Sequence, residues 1–363
     1  MNKELFAKLV SFKTTADNPE EIKKGFEYIA GLFDENVFEA KILEKNGKYS
    51  LLVSFAGKDG LRPHILLNGH FDVVPAEDES QFVLRVEGDK AFGRGTMDMK
   101  GMACVLIEMM LELGKFPDKK DVALLLNGDE EVGGENGAGY IARELGMRPE
   151  FMLCADGSGE KSFSIVTKGK GVLWLELQAR GKTAHGAYPW LGENALDMVV
   201  SAIRKIQEYV GEIKADAWKT TVNVGVIETG NKTPNKVPAD ARAVLDIRFT
   251  GEFAKTPDEL LQAIQKLVPG VETRALEKGS PLLVREDNSI LAKFRESAEA
   301  VLGKKVPYSF EHGAVDARYF AGAGVPVAVF GAVGANMHAQ GEWVDIKTLE
   351  QNKEILRKFL AGV

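Results

Sequence analysis

Four short, almost wholly apolar runs constrain this chain more than any other feature: Ile65 to Leu67, Val122 to Leu126, Phe151 to Cys154 and Val325 to Phe330. A strand with one wet face alternates apolar and polar residues. A run without alternation suits a strand covered on both faces, as in a parallel sheet flanked by helices. Helix-like stretches lie among the runs, at Lys100 to Leu113, Gly137 to Leu145 and Asp345 to Leu360. The alternation predicts an α/β fold with a doubly wound, mostly parallel sheet. The middle of the chain reads differently. Strand-like segments at Gly171 to Ala179, Thr221 to Glu228 and Arg242 to Thr250, with a further strand at Val271 to Ala275, accompany helices at Asn194 to Val210 and Pro257 to Leu267. That is the pattern of an α+β unit with an antiparallel sheet. Gly169-Lys170-Gly171 and Gly279-Ser280-Pro281 bracket it as hinges. The expected organisation is therefore a catalytic unit of residues 1–169 and 281–363 with residues 170–280 inserted, and 363 residues are enough for two cores.

In an open α/β sheet, ligands bind beyond the carboxyl ends of the strands. The residues just after each apolar run here are polar and able to bind metal. Asn68-Gly69-His70-Phe71-Asp72 comes after the first run, Asn127-Gly128-Asp129-Glu130-Glu131 after the second and Ala155-Asp156-Gly157 after the third. A Gly-rich loop leads from the fourth to His338. Taken singly, a His-x-Asp reads as a local hydrogen-bonded pair and a Glu-Glu as a solvated one. Four such signals on one rim of one sheet read as a site.

Composition narrows the class of ligand. A formal charge of −7 and the lack of a long Lys/Arg cluster argue against nucleic acid as a partner. No apolar run is long enough to cross a bilayer. The first residues lack the unbroken apolar segment of a secretory signal, so the expected location is the cytoplasm. Cys104 and Cys154, the two cysteines, each sit in an apolar run and read as buried thiols rather than as a disulfide. The expected partner is a small molecule or short peptide.

Several motifs together carry a resemblance to a known family. They are Gly69-His70-Phe71-Asp72-Val73-Val74-Pro75, the segment Gly93 to Gly101 around Asp98, Glu130-Glu131 followed by Gly133-Gly134, and the late His338. Gly181 to His185 with Pro189, Gly192, Asn194 and Ala195, then Asn235-Lys236-Val237-Pro238 and Arg248, extend the match through the inserted unit. The chain resembles the co-catalytic zinc amidohydrolases that include acetylornithine deacetylase, succinyl-diaminopimelate desuccinylase, aminoacylase and glutamate carboxypeptidase.

The resemblance implies a zinc-peptidase-like fold, a homodimer, and an inserted unit that mediates dimerisation and acts as a lid. It implies two divalent ions, zinc first with cobalt or manganese able to replace it, bound by five residues. Asp98 would bridge them, His70 and Asp156 would complete one set, and Glu131 and His338 the other. Asp72 would accept the second ring N–H of His70 and fix its tautomer. Glu130 would act as general base and acid on a metal-activated water, with Glu131 facing the metal because consecutive residues of an extended loop point opposite ways. His185, supplied across the dimer, would stabilise the oxyanion, and Asn235 and Arg248 would bind the substrate carboxylate or the oxyanion region. A cis peptide after Asp98 is a further implication of the resemblance.

Some features depart from the pattern. Ala314 and Val315 precede Asp316 where desuccinylase-like members carry small hydroxyl residues, which counts against a desuccinylase substrate. His312 reads first as a loop histidine bonded to backbone, with a substrate contact as the alternative, and His64 reads as structural. Gly181-Lys182-Thr183 lacks the upstream glycine of a phosphate loop because Glu176 stands there, and Gly93-Arg94-Gly95 has Asp98 in place of the third glycine of a dinucleotide fingerprint. The expected reaction is hydrolysis of the amide bond of a short peptide or N-acyl amino acid with a free carboxylate. The alternatives are a biosynthetic deacylase of the acetylornithine or succinyl-diaminopimelate type and a non-catalytic ligand-binding relative.

Overall fold

The computed structural model describes residues 1–116, 121–157, 162–215 and 217–363. The chain divides into two compact units. One comprises Met1–Thr167, Val284–Ser309 and Val315–Val363, the other Lys168–Leu283 and Phe310–Ala314.

In the larger unit the four apolar runs form parallel neighbours in the order Val122–Asn127, Ile65–His70, Phe151–Cys154, Val327–Val329. Every residue of these four strands is buried, which is why their sequences show no alternation. Antiparallel strands flank the parallel centre. The hairpin Phe38–Lys45 and Lys48–Phe55 adds beside Val122–Asn127. At the other side Val166 pairs with Val329. The helix Gly101–Leu113 is apolar almost all round, and nine of its residues are buried. It packs with Lys3–Ser11 and Ile346–Ala361, and the latter also packs with Ser289–Leu302. Asn2, Asn288 and Asp345 cap three of these helices through their side-chain oxygens.

A small antiparallel sheet in the same unit matters for the site. Its order is Gly334–Ala335, Trp343–Asp345, Lys90–Phe92, Arg85–Glu87, with Trp343 opposite Phe92. It joins the end of the chain to the segment just before Asp98, so loops about 240 residues apart in sequence become neighbours.

The second unit is a four-stranded antiparallel sheet in the order Thr221–Glu228, Asp240–Phe249, Gly171–Arg180, Glu272–Gly279. Asp240–Phe249 alternates buried and partly exposed residues along nearly its whole length. Ala243, Leu245 and Ile247 turn inward to pack with Val199, Ile203 and Ile206 of the helix Ala195–Val210 and with Leu260 and Ile264 of Pro257–Leu267. Glu176, Arg242 and Arg274 form a polar cluster, with Glu176 Oε1 accepting from Arg242 Nε at 2.5 Å and Oε2 from Arg274 Nε at 2.9 Å. No helix among the described residues is long and apolar enough to cross a membrane.

Candidate metal centre

Each expected ligand emerges at or beyond the carboxyl end of a parallel strand, or at the start of the helix after one. His70 is the last residue of Ile65–His70, Glu130 and Glu131 come after Val122–Asn127, and Asp156 lies two residues past Phe151–Cys154. Asp98 precedes the helix Gly101–Leu113, and the Asp98–Met99 peptide is cis. His338 lies between Gly334–Ala335 and Trp343–Asp345 with a left-handed backbone, φ 63°. Gly95 begins the turn that presents Asp98. Its φ is 77°, and a Cβ there would lie 2.6 Å from Val73 Cγ1, so both backbone and space demand glycine.

The five residues assemble into two donor sets that share one carboxylate. His70, Asp98 and Asp156 form the first and Asp98, Glu131 and His338 the second, with donor atoms within 4.8 Å of one another in each. The Nε2 of His70 lies 2.8 Å from Asp98 Oδ1, while the Nε2 of His338 lies 3.0 Å from Asp98 Oδ2 and 3.1 Å from Glu131 Oε2. One carboxylate thus faces a different histidine with each oxygen. The set also fits a divalent ion in its unmet bonding: Glu131 Oε1 is buried with no hydrogen-bond partner among the described residues.

One local expectation gains a second partner and another needs correction. His70 Nδ1 lies 3.0 Å from the main-chain oxygen of Asp72 and 3.5 Å from its carboxylate, so the nearer partner fixing the ring is the backbone carbonyl. The Asp72 carboxylate serves both loops: its Oδ1 keeps an ion pair with His70 while its Oδ2 accepts from the Glu131 backbone N–H at 2.9 Å. Glu130 and Glu131 do not lie in an extended loop but open a single 3₁₀ turn, Glu130–Val132. Successive residues still diverge there, by about 120°.

Burial and crowding set the protonation of the site. Burial pushes the Glu130 carboxyl well above its ordinary range, and the carboxylates of Asp156, Asp316 and Asp98 add to that against the opposing His70. A carboxyl so perturbed beside candidate metal donors suits proton transfer. Hydrogen bonds to Asp98 and Glu131 lift His338 to about 10. Burial works against the charged His70 ring, but Asp72 and Asp98 outweigh it and hold its pKa well above the usual value.

Residues not expected to contribute support the Glu130 loop. Asp316 is buried and accepts from Asn127 Nδ2 at 2.7 Å. Arg318 Nη2 donates to the Gly133 carbonyl at 2.7 Å, and the Tyr319 hydroxyl donates to the same oxygen at 2.5 Å. The sequence signal for this support is Asp316-Ala317-Arg318 itself, an acid and a base two residues apart ahead of the apolar run Val325 to Phe330. His64 pairs with Glu150 at 3.0 Å, away from the donors.

The remaining candidates belong to the second unit. His185 and Asn235 come together: His185 bridges to Lys236, and the Gly186 N–H donates to the Asn235 carbonyl at 2.7 Å. The His185 ring accepts from the Ala187 N–H at 3.0 Å and is exposed. Arg248 lies near the far end of Asp240–Phe249, eight residues or about 26 Å along the strand from its Asp240 end. Its guanidinium forks onto Asp246 at 2.8 and 3.3 Å. His312 packs edge-on against Phe310, with ring centroids 5.5 Å apart.

Comparison with known proteins identifies the family and the fold. Residues 66–362 match the model of peptidase family M20/M25/M40. The chain is 30% identical over 330 residues to a succinyl-diaminopimelate desuccinylase of Acidiphilium cryptum (strain JF-5), covering 87% of each protein. Among solved structures, an M20 family metallo-carboxypeptidase from Sulfolobus solfataricus aligns over 99% of both chains at TM-score 0.77 and 18% identity. A di-peptidase from Saccharomyces cerevisiae aligns over 98% of this chain and 94% of its own, with TM-score 0.73 and 14% identity. These two similarities concern the fold. With the family match running from within the first parallel strand to the last helix, the chain belongs to peptidase family M20/M25/M40.

Proposed function

We propose that this protein hydrolyses the amide bond of short peptides or N-acyl amino acids bearing a free carboxylate, with two divalent ions, zinc foremost and cobalt or manganese as substitutes. That it is a metal-dependent hydrolase of peptide or acyl-amino-acid bonds follows from its family. The observation that carries the finer reading is the sharing of Asp98 between two donor sets, with Glu130 beside them. His70, Asp98 and Asp156 would hold one ion and Asp98, Glu131 and His338 the other. Bound there, the ions would acidify water and polarise the substrate carbonyl.

The chain's own residues do the rest. Glu130 takes a proton from the attacking water and returns it to the departing nitrogen, so one carboxyl serves as base and then acid. Asp72 steadies two loops at once, through its carbonyl to His70 and its carboxylate to the Glu131 N–H. His185 stabilises the oxyanion, in a homodimer from the other subunit, and Asn235 and Arg248, which lie apart within one chain, bind the substrate carboxylate or the oxyanion region. The inserted unit serves as dimerisation and lid domain. Two buried free thiols, Cys104 and Cys154, accord with a cytoplasmic location.

A biosynthetic deacylase is the second reading, favoured by the desuccinylase relative and opposed by Ala314 and Val315. The test is metal content together with hydrolysis of a panel of dipeptides, N-acetyl and N-succinyl amino acids, for wild type and Glu130→Gln. Metal retained with activity lost in the variant is the expected result. Unchanged activity in the variant would refute the role of Glu130, and metal binding without hydrolysis of any panel member would favour the non-catalytic relative.

A further inference from the structure

Glu342 is a carboxylate that the reaction does not use, yet it is 1% exposed and carries more bonds than most of the donors. Its Oε2 accepts from the Gly95 N–H at 2.9 Å and from Arg94 Nη1 at 2.8 Å, and its Oε1 from the N–H groups of Met97 and Asp98 at 2.9 and 3.1 Å. Three backbone donors of one loop and a guanidinium thus converge on one side chain that lies about 245 residues away in sequence. The loop they define is the one that presents the shared carboxylate, Asp98.

Arg94 extends the brace in the other direction. It is 1% exposed, and its terminal nitrogens reach the carbonyls of His338 at 3.4 Å, Ala339 at 3.5 Å and Pro75 at 3.4 Å. Individually these contacts are long and weak. Together they bear on three segments that carry or follow ligands: the loop after His70, the turn of Asp98 and the turn of His338. His338 itself sits at φ 63°, a conformation that a non-glycine residue adopts only when its surroundings hold it. Strand pairing alone does not do this, because Gly334–Ala335 and Trp343–Asp345 flank the turn without including His338.

We infer that Glu342, together with Arg94, is a positioning residue of the metal centre, fixing the Asp98 turn and the His338 turn in the mutual geometry that lets one carboxylate serve both donor sets. This rests on the metal-dependent reading proposed above. An isolated buried ion pair is poor evidence of stabilisation, but here the carboxylate satisfies backbone donors that would otherwise be orphaned next to a ligand.

The test compares wild type with Glu342→Gln, Glu342→Asp and Arg94→Lys, and uses Glu112→Gln as a control that breaks the Arg357 fork in the same unit without touching any donor. Zinc affinity is measured on the metal-stripped protein by chelator competition, alongside thermal midpoints of the stripped protein and kcat and KM of the loaded one. Glu342→Gln is expected to weaken zinc binding by about 10- to 100-fold and to lower kcat more than it raises KM. Glu342→Asp should recover part of the loss, and Glu112→Gln should lower only the midpoint. Wild-type zinc affinity and kcat in Glu342→Gln would overturn the inference even if its midpoint fell. Should that variant not fold, Arg94→Lys decides on the same criterion. A wild type that binds none of zinc, cobalt or manganese would instead overturn the reading on which the inference rests.

Discussion

Gly134 and Gly146 offer a way to separate backbone strain from packing beside the Glu130 turn. Both have φ 68°. A Cβ at Gly134 would lie 2.1 Å from Asp316 Oδ1 and 3.2 Å from Tyr319 Cε2, whereas nothing lies within 4 Å at Gly146. An alanine forced into the left-handed region loses about 1–2 kcal/mol, and the stiffer unfolded chain returns about 0.4–1 kcal/mol. Gly146→Ala should therefore cost about 0–1.6 kcal/mol. At Gly134 the methyl must also displace the Asp316 carboxyl, which is buried and held by Asn127 Nδ2 at 2.7 Å. Rotating it away strands a buried amide, a penalty of about 1–3 kcal/mol beyond the strain. The total expected for Gly134→Ala is roughly 1–4.6 kcal/mol, always about 1–3 kcal/mol more than for Gly146→Ala. Urea unfolding followed by far-UV circular dichroism, with slopes compared to check that the transition keeps its cooperativity, reads the difference. Equal losses in the two variants would refute the packing argument. Because Asp316 leans on the strand end that leads to Glu130, Gly134→Ala should also lower kcat, and Gly146→Ala should not.

Asp98→Asn is expected to reduce bound metal per chain further than Asp156→Ala, because Asp98 belongs to both donor sets and Asp156 to one; equal losses by elemental analysis would sink the shared-ligand reading. Chelation should abolish amide hydrolysis, and added zinc, cobalt or manganese should restore it; activity that survives complete stripping would contradict the metal dependence. In the second unit, Arg242 holds the Glu176 carboxyl below its ordinary range, against burial and with help from Arg274. A depressed folded pKa stabilises above the unfolded value and the contribution fades as pH falls, so the gap in thermal midpoint between wild type and Glu176→Gln should be widest at neutral pH and close on acidification. A gap independent of pH would mean that Glu176 acts by packing alone.

The parallel centre was legible because burial on both faces leaves runs such as Phe151–Cys154 with no polar residue, and because the fold puts ligands at the ends of those runs. His70, Glu130, Glu131 and Asp156 each stand two to five residues past such a run, so the strand pattern already places them on one rim. Other parts carried weaker signals. The hairpin Phe38–Lys45 and Lys48–Phe55 is not among the predicted elements, although Asn46-Gly47, at φ 51° and 74°, has the residues that such a turn requires. Its strands read as a mixed charged and apolar stretch because the outer strand is mostly exposed. The Asp72 contacts were harder to foresee, since whether a His-x-Asp pair meets through side chain or backbone depends on where the chain turns after the strand. Glu342 had no signal at all. It is one carboxylate in a Gly-rich polar loop, and its meaning appears only when the pairing of Trp343 with Phe92 brings that loop against the Asp98 turn.

The buried cations of the larger unit obey one rule that bears on how the centre works. Lys100 Nζ donates to the Phe12 carbonyl at 2.6 Å, Arg318 to the Gly133 carbonyl at 2.7 Å, and Arg94 to Glu342 and to main-chain carbonyls. Each is spent on backbone or on a carboxylate outside the donor sets. Asp98 and Glu131, by contrast, form ion pairs only with histidines among the described residues. The distinction has a physical reason. A guanidinium or ammonium fixed on a ligand carboxylate would occupy its lone pairs and repel an incoming cation at short range, where the interior screens poorly. A histidine can lose its proton and become a ligand itself. Cations placed behind the loops fix backbone geometry while leaving the donors' charge for the metal, so the repulsion among Asp98, Glu130, Glu131 and Asp156 is countered by His70 and His338, whose protons a bound cation would replace. The order of the centre and its capacity to bind metal then have the same origin.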